Sequence, residues 1–190
     1  MHRRILDYYR PKNEQEQMDK IAMLQFIDKN DDALTRENLV GHFTSSAIIV
    51  NPEMTKVLFI HHNIYNSWGW VGGHNDGDPD FLAVAIKEAK EETGVKHIEP
   101  YNQDIIGIDS IYVYNHIKNG KFVSDHIHMN ITYLLVASES EDLIIKEDEN
   151  SGVKWFSLEE ALDIIEEPRM VPIYIKYFNY VKSLKDSNKI

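Results

Sequence analysis

Three glutamates, Glu88, Glu91 and Glu92, stand at i, i+3 and i+4 within GGHNDGDPDFLAVAIKEAKEETGV, residues 72–95. On a helix this spacing gathers all three carboxylates on one patch. The patch lies at the C-terminal end, where the helix dipole disfavours anions and like charges at i+4 repel by roughly a few tenths of a kcal/mol. A solvated helix face, softened by Lys87 and Lys90, is the plain explanation. The setting argues for a purpose instead. Gly72 and Gly73 precede the helix, Asp78 is placed to cap it, Pro79 suits its first position, and Gly94 ends it. A divalent cation would convert the repulsion into coordination, because hard cations take carboxylate oxygens. Such an ion would also bridge an acidic site to a phosphate.

With Gly73 opening the pattern and Lys87-Glu88-Ala89-Lys90-Glu91-Glu92-Thr93-Gly94-Val95 closing it, the stretch resembles the Nudix box, its spacing kept without a gap. Two positions depart: Pro79 stands where the family has a Glu, and Lys87 where it has an Arg. The resemblance implies an α/β fold, the Nudix-type α/β/α sandwich with a mixed sheet. It also implies a hydrolase dependent on Mg²⁺, with Mn²⁺ as the substitute. The substrate would be a small-molecule diphosphate, a nucleoside diphosphate derivative cleaved by water attack at phosphorus. Carried over by position, Glu91 and Glu92 are metal ligands, and Glu88 binds metal or deprotonates the attacking water. The Gly72 carbonyl is a further ligand. Lys87 replaces a bidentate fork with a point charge, which loosens the positioning of Glu88. A late-loop acid completes the family's metal site; Glu149 is the candidate, with Glu147 and Asp148 as rivals. The alternative is a non-catalytic Nudix-fold ligand sensor or partner-binding domain, but this chain keeps all three box glutamates. The family's isomerase chemistry needs a cysteine, and the chain has none.

The elements that must position this patch are partly legible. Residues 13–29 read as a helix, with Asn13 as cap, Glu16 in capping-box spacing, and Met18, Ile21, Leu24 and Ile27 as the apolar face. Residues 1–40 form an N-terminal helical appendage, packed on the main domain or on a second copy in a homodimer; residues 41–190 form the Nudix domain. HFTSSAIIV and KVLFIHH read as strands around Asn51-Pro52, and Trp68, Trp70 and Val71 as a short extended piece in which the two indoles share a face. IIGIDSIYVYNHI and KFVSDHIHMNITYLLVA flank Lys118-Asn119-Gly120, a hairpin signal. Val153, Trp155 and Phe156 give another strand. SLEEALDII is a helix capped by Ser157, Pro168 ends it, and VPIYIKYFNYVKSLK is the last helix. The strand order over residues 42–165 fits the family.

Histidines and aromatics supply substrate contacts. His74 follows the glycines, and His126 and His128 share one strand face. His74 and His128 are the candidates for a phosphate oxygen, and Trp68 for stacking on a base or ring, with Tyr65 and Trp70 beside it. A histidine zinc site is the weaker reading, since the carboxylates favour a hard, oxygen-loving cation. The net charge of −11, with no basic run, excludes a nucleic-acid polymer as partner, and would repel an anionic small molecule unless a cation sits in the site. Without cysteine there is no disulfide, thiolate catalysis or Cys-held metal. No apolar window is long enough to span a membrane, and no signal peptide is visible, so a cytoplasmic protein is expected. Which diphosphate is cleaved depends on loops outside the box.

Overall fold

The structure, a computed structural model, describes residues 2–118 and 120–187. Strand β1 (Gly41–Val50) is its axis: every residue of it is buried. It pairs in parallel with β8 (His126–Ala137) on one side. On the other side it is shared. β4 (Val71–His74) pairs antiparallel with residues 44–47, and β2 (Lys56–His62) with residues 49–50. The remaining strands, β3 (Ser67–Gly69) and β9 (Asn150–Ser157) on β2 and β5 (Ile98–Val113) on β8, are antiparallel, giving a mixed seven-stranded sheet.

Period-two alternation along β1 sorts two cores. Phe43, Ala47 and Ile49 face α3 (Phe81–Thr93), together with Phe81, Ala85 and Ala89. Ile48 and Val50 face α4 (Leu158–Asp163) and α5 (Val171–Ser187), where Phe59, Tyr174 and Phe178 pack. The fold is therefore the expected α/β/α sandwich. The second face has a consequence: at its N-terminal end, where no helix covers it, the same alternation presents His42, Thr44 and Ser46.

The first helices, α1 (His2–Tyr8) and α2 (Glu14–Ile27), join the first core through Leu6 and Met23. Asn13 caps α2 as expected, accepting from the Glu16 amide. Two expectations fail there. The buried face is built on Glu16 and Met23, while Met18 and Ile21 are exposed. And Glu16 does not complete the capping box: its carboxylate turns inward, accepting from Tyr9 Oη at 2.6 Å and the Lys12 amide at 2.8 Å, and it pairs with Lys176 at 3.0 Å. The reason lies in α2's neighbour, edge strand β5. Lys12 Nζ and Gln15 Nε2 donate to the carbonyls of Ile106 and Ile108, at 2.8 and 3.3 Å, and Asp19 accepts from the Ser110 amide at 3.1 Å. Polar side chains of α2, with Lys12 just before it, thus occupy backbone groups that an edge strand otherwise leaves bare.

Elsewhere the expected elements form with altered ends. Ser157 and Glu160 make a complete capping box on α4. The turn at Gly120, which takes a positive φ of 74°, closes only a short ribbon of β6 (His116–Lys118) and β7 (Lys121–Val123); Asn119 lies outside the described residues. Trp68 belongs to β3, but Trp70 falls between β3 and β4. Trp68 lies against Phe156 and Trp70 against Tyr174, and both pack on the second core and line the same cleft, so the two indoles share a face as expected. No helix among the described residues is long and apolar enough to cross a membrane.

Candidate active site

The box helix begins two residues later than its sequence suggests. Asp80, not Asp78, is the N-cap, its carboxylate accepting from the Ala83 amide at 3.0 Å. Asp78 serves the turn before it, accepting from the Asp80 amide at 2.9 Å, and Pro79 lies in that turn. The loop is anchored from beneath, where Asn75 accepts from Ser45 Oγ at 3.0 Å and donates to the Asp78 carbonyl at 2.9 Å. Gly94 ends the helix in the left-handed conformation, φ 74°, as expected.

The three glutamates emerge into very different surroundings. Glu92 is buried, and its carboxylate accepts from the Gly72 amide at 2.9 Å. Burial pushes it up to about 8, with the charges of Glu149 and Glu88 adding to the shift and the Gly72 N–H opposing it. Glu88 is mostly enclosed and lies against Gly73; burial raises it too, opposed by Lys87. Glu91 is more exposed, 3.7 Å from Lys87 and 3.6 Å from Lys146. Lys87 reaches Glu88 at 3.3 Å with one nitrogen, a single contact where a guanidinium would offer two.

The late loop comes to the same place. Its turn is tied to the helix end by the Ile144 amide donating to the Thr93 carbonyl at 2.8 Å, and by Asn150 Nδ2 donating to the Glu92 carbonyl at 2.9 Å. Of the three acids considered, Glu149 is half-buried and 3.0 Å from Lys146. Asp148 and Glu149 both reach the cleft lining, whereas Glu147 does not. Lys146, not singled out in the sequence, bridges Glu91 and Glu149. The donor set is thus four carboxylates with ammonium groups filling between them, which fits a hard divalent ion taking oxygen ligands.

A cleft of about 350 Å³ opens beside these groups, lined by Glu88, Glu92 and Glu149 but not by Glu91, Lys87 or Lys146. Gly72, Glu88, Glu92 and Glu149 form one side. Trp68, His74 and His128 line it as well. Its floor is the uncovered face of β1 and β8, where Thr44 and Ser46 both donate to Asn130, at 2.9 and 2.7 Å. The cleft also takes in Arg36, held by Asp76, with one bond of 2.7 Å. Arg36, Asn130 and Lys146 left no signal in the sequence: each is brought to the site by partners far along the chain, Asp76, Thr44 with Ser46, and Glu91.

His74, His126 and His128 lie together, and a fourth ring, His42, completes the group. His42 and His128 are direct partners across the parallel β1–β8 pair. Ring centroids are 4.9 Å apart for His42–His74, 4.9 Å for His74–His128 and 5.1 Å for His42–His128. Burial holds all three neutral: His42 and His128 are pushed down, and His74 to about 2.

Close approach at Gly73 gives a direct test. A Cβ there would run into the Glu88 carboxyl and stand 2.7 Å from its Cγ. The collision is with the end of a flexible side chain, so Gly73→Ala should displace Glu88 rather than unfold the chain. We expect kcat to fall about 10- to 100-fold, an amount comparable with loss of a positioned general base, with the thermal midpoint shifted by only a few degrees. Unchanged kcat in a folded variant would remove Glu88 from the working site.

The family described as NUDIX domain matches residues 41–178. No curated protein sequence matches. Among solved structures, the chain is similar to a C. elegans Ap4A hydrolase binary complex (18% identity, 74% of this chain and 98% of that one, TM-score 0.55). It is also similar to a MutT protein from Methanosarcina mazei Go1 (20% identity, 80% and 99%, TM-score 0.54). A third is the NUDIX domain of Shewanella oneidensis NrtR complexed with ADP ribose (16% identity, 83% and 97%, TM-score 0.53). At these identities the likeness is one of fold.

Proposed function

The chain belongs to the Nudix family, and from that premise we propose that it is a metal-dependent hydrolase cleaving the diphosphate linkage of a nucleoside diphosphate derivative. The observation that carries the reading is the meeting of Glu88, Glu92 and Glu149 beside Gly72–Gly73 in one cleft, with Glu91 tied to Glu149 through Lys146. A sensor has no need to bury a carboxylate at the cost borne by Glu92.

When bound, Mg²⁺ or Mn²⁺ supplies charge neutralisation to the diphosphate and acidifies a coordinated water. Glu91, Glu92 and Glu149 are the residues that would hold it, with the Gly72 carbonyl. Lys87 and Lys146 shield these carboxylates beforehand. Glu88, raised above the ordinary carboxylate range by burial, is suited to accept the proton of the attacking water. His74 and His128 provide neutral contacts for a phosphate oxygen, and Trp68 an aromatic face for the base. The polar floor of Thr44, Ser46 and Asn130 offers hydroxyl and amide groups to the rest of the ligand.

The test is product release from a panel of nucleoside diphosphate derivatives with Mg²⁺. At least one member should be turned over, and chelation should abolish turnover reversibly. A folded protein that takes up Mg²⁺ yet cleaves no member of a broad panel would leave only the binding reading. The cytoplasm and a homodimer contact remain part of the same proposal, to be read by fractionation and by solution mass.

A further inference from the structure

We infer that His42, His74 and His128 form a binding site for a transition-metal ion of the zinc class, beside the glutamate patch and separate from it. The inference stands on its own geometry, whether or not the hydrolase reading holds.

Three strands deliver the rings. His42 on β1 opposes His128 on β8, and His74 ends β4, whose partner on β1 is Thr44. One ligating nitrogen from each lies within 4.8 Å of the other two. Tetrahedral zinc at its usual Zn–N length needs about 3.4 Å between donors, so the rings must close by on the order of 1 Å. His74 and His128 are partly exposed to the cleft, which gives their rings room for that adjustment.

The decisive ring is His42. It is 4% exposed. Its Nδ1 lies 3.1 Å from the Asn38 carbonyl, which can only accept, so Nδ1 carries the proton and Nε2 the lone pair. That Nε2 is fully buried and has no hydrogen-bond partner among the described residues. A buried acceptor left unmade costs free energy, and an imidazole oriented through its other nitrogen by a backbone carbonyl is how metal-binding histidines are held. His128 is oriented in turn by His126, their Nε2 atoms 3.1 Å apart, while His126 Nδ1 is engaged by the Ser124 carbonyl at 2.8 Å.

The chemistry separates this site from its neighbour. Neutral imidazoles suit zinc-like ions, and carboxylates suit magnesium. One cleft therefore offers two donor sets that sort two classes of ion. Three protein ligands would leave a fourth position open, and His74 and His128 line the cleft from which a ligand would reach it. With the ion present, the contact of these histidines to a phosphate oxygen would run through it.

Metal-stripped full-length protein titrated with Co²⁺, a visible-absorbing stand-in for Zn²⁺, tests the site. The wild type should bind one Co²⁺ with the intense bands of a four-coordinate ion, displaced by Zn²⁺. Glu91→Gln/Glu92→Gln should retain that spectrum. His42→Asn, which keeps a donor for the Asn38 carbonyl but lacks Nε2, and His128→Gln should each weaken binding about 100-fold or more, given that even loss of a ligand's supporting partner costs 10- to 100-fold. Circular dichroism checks folding, and the partly exposed His128 serves if the buried substitution fails to fold. No four-coordinate spectrum in the wild type overturns the inference, as does a spectrum that survives His128→Gln or disappears with the glutamates.

Discussion

Glu92→Gln should lose about 100- to 1,000-fold in kcat on whichever diphosphate substrate the panel identifies, the range typical for removing one strong electrostatic contact from a transition state. The carboxylate is the most deeply enclosed of the cluster, fixed by the Gly72 amide at 2.9 Å. Gln keeps the size and the oxygen that accepts this bond, and removes only the charge. The same substitution should affect stability in the opposite sense. In the metal-free fold, burial holds Glu92 up to about 8. Its protonated form therefore contributes stability that is complete below the ordinary carboxylate range and is lost as pH rises through about 8. Gln never charges. Metal-free Glu92→Gln should match the wild type near pH 5 and exceed it near pH 9, by a margin read from urea midpoints. Single-turnover kinetics with saturating Mg²⁺ supply the other half. A variant keeping more than a tenth of wild-type kcat would take Glu92 out of catalysis, and a wild type no less stable than the variant at pH 9 would contradict the buried charge.

Lys176→Met should destabilise the chain by about 3–5 kcal/mol, the cost of breaking a buried ion pair by removing one partner. Lys176 is the cation between two enclosed carboxylates, Asp109 at 2.7 Å and Glu16 at 3.0 Å. Tyr177 donates to the other oxygen of Asp109, and Tyr9 and the Lys12 amide to Glu16. One ammonium thus joins α5, β5 and α2. Without it, the two acids keep only the charge of Lys12 acting on Glu16, and burial already outweighs Lys176 in setting Asp109 above its ordinary range. Protonation of Asp109, which burial holds above its ordinary range, relieves the variant, so its deficit should shrink as pH is lowered toward that range. Adding Glu16→Gln should restore part of the loss. A deficit below about 1 kcal/mol, the level of an exposed pair, would show that the network is solvated and contributes little.

The box helix and its carboxylates were legible because they are local: spacing along one helix fixes which side chains meet. The helix start was misplaced by two residues because Asp78 and Asp80 are equally good caps, and the Asn75–Ser45 anchor that decides between them crosses from loop to sheet. The face of α2 was misread for a related reason. Its apolar residues at helical intervals are genuine, but the neighbouring strand edge required polar partners, so Glu16 was turned in and Met18 out. The common face of Trp68 and Trp70 is legible from their spacing, but the break between β3 and β4 at Trp70 is not. His42 carried no signal, since its meeting with His128 depends on a parallel register between strands 86 positions apart, and parallel pairing leaves no turn in the sequence to announce it.

The side chains of Lys12, Gln15 and Asp19 along β5 bear on how the molecule keeps company with copies of itself. A sheet of this size with one bare margin is a template for runaway stacking, and here that margin is closed from within the same polypeptide. Trimming the first forty residues to isolate residues 41–190 would uncover it. The shortened protein would retain every glutamate of the box and still come out of solution.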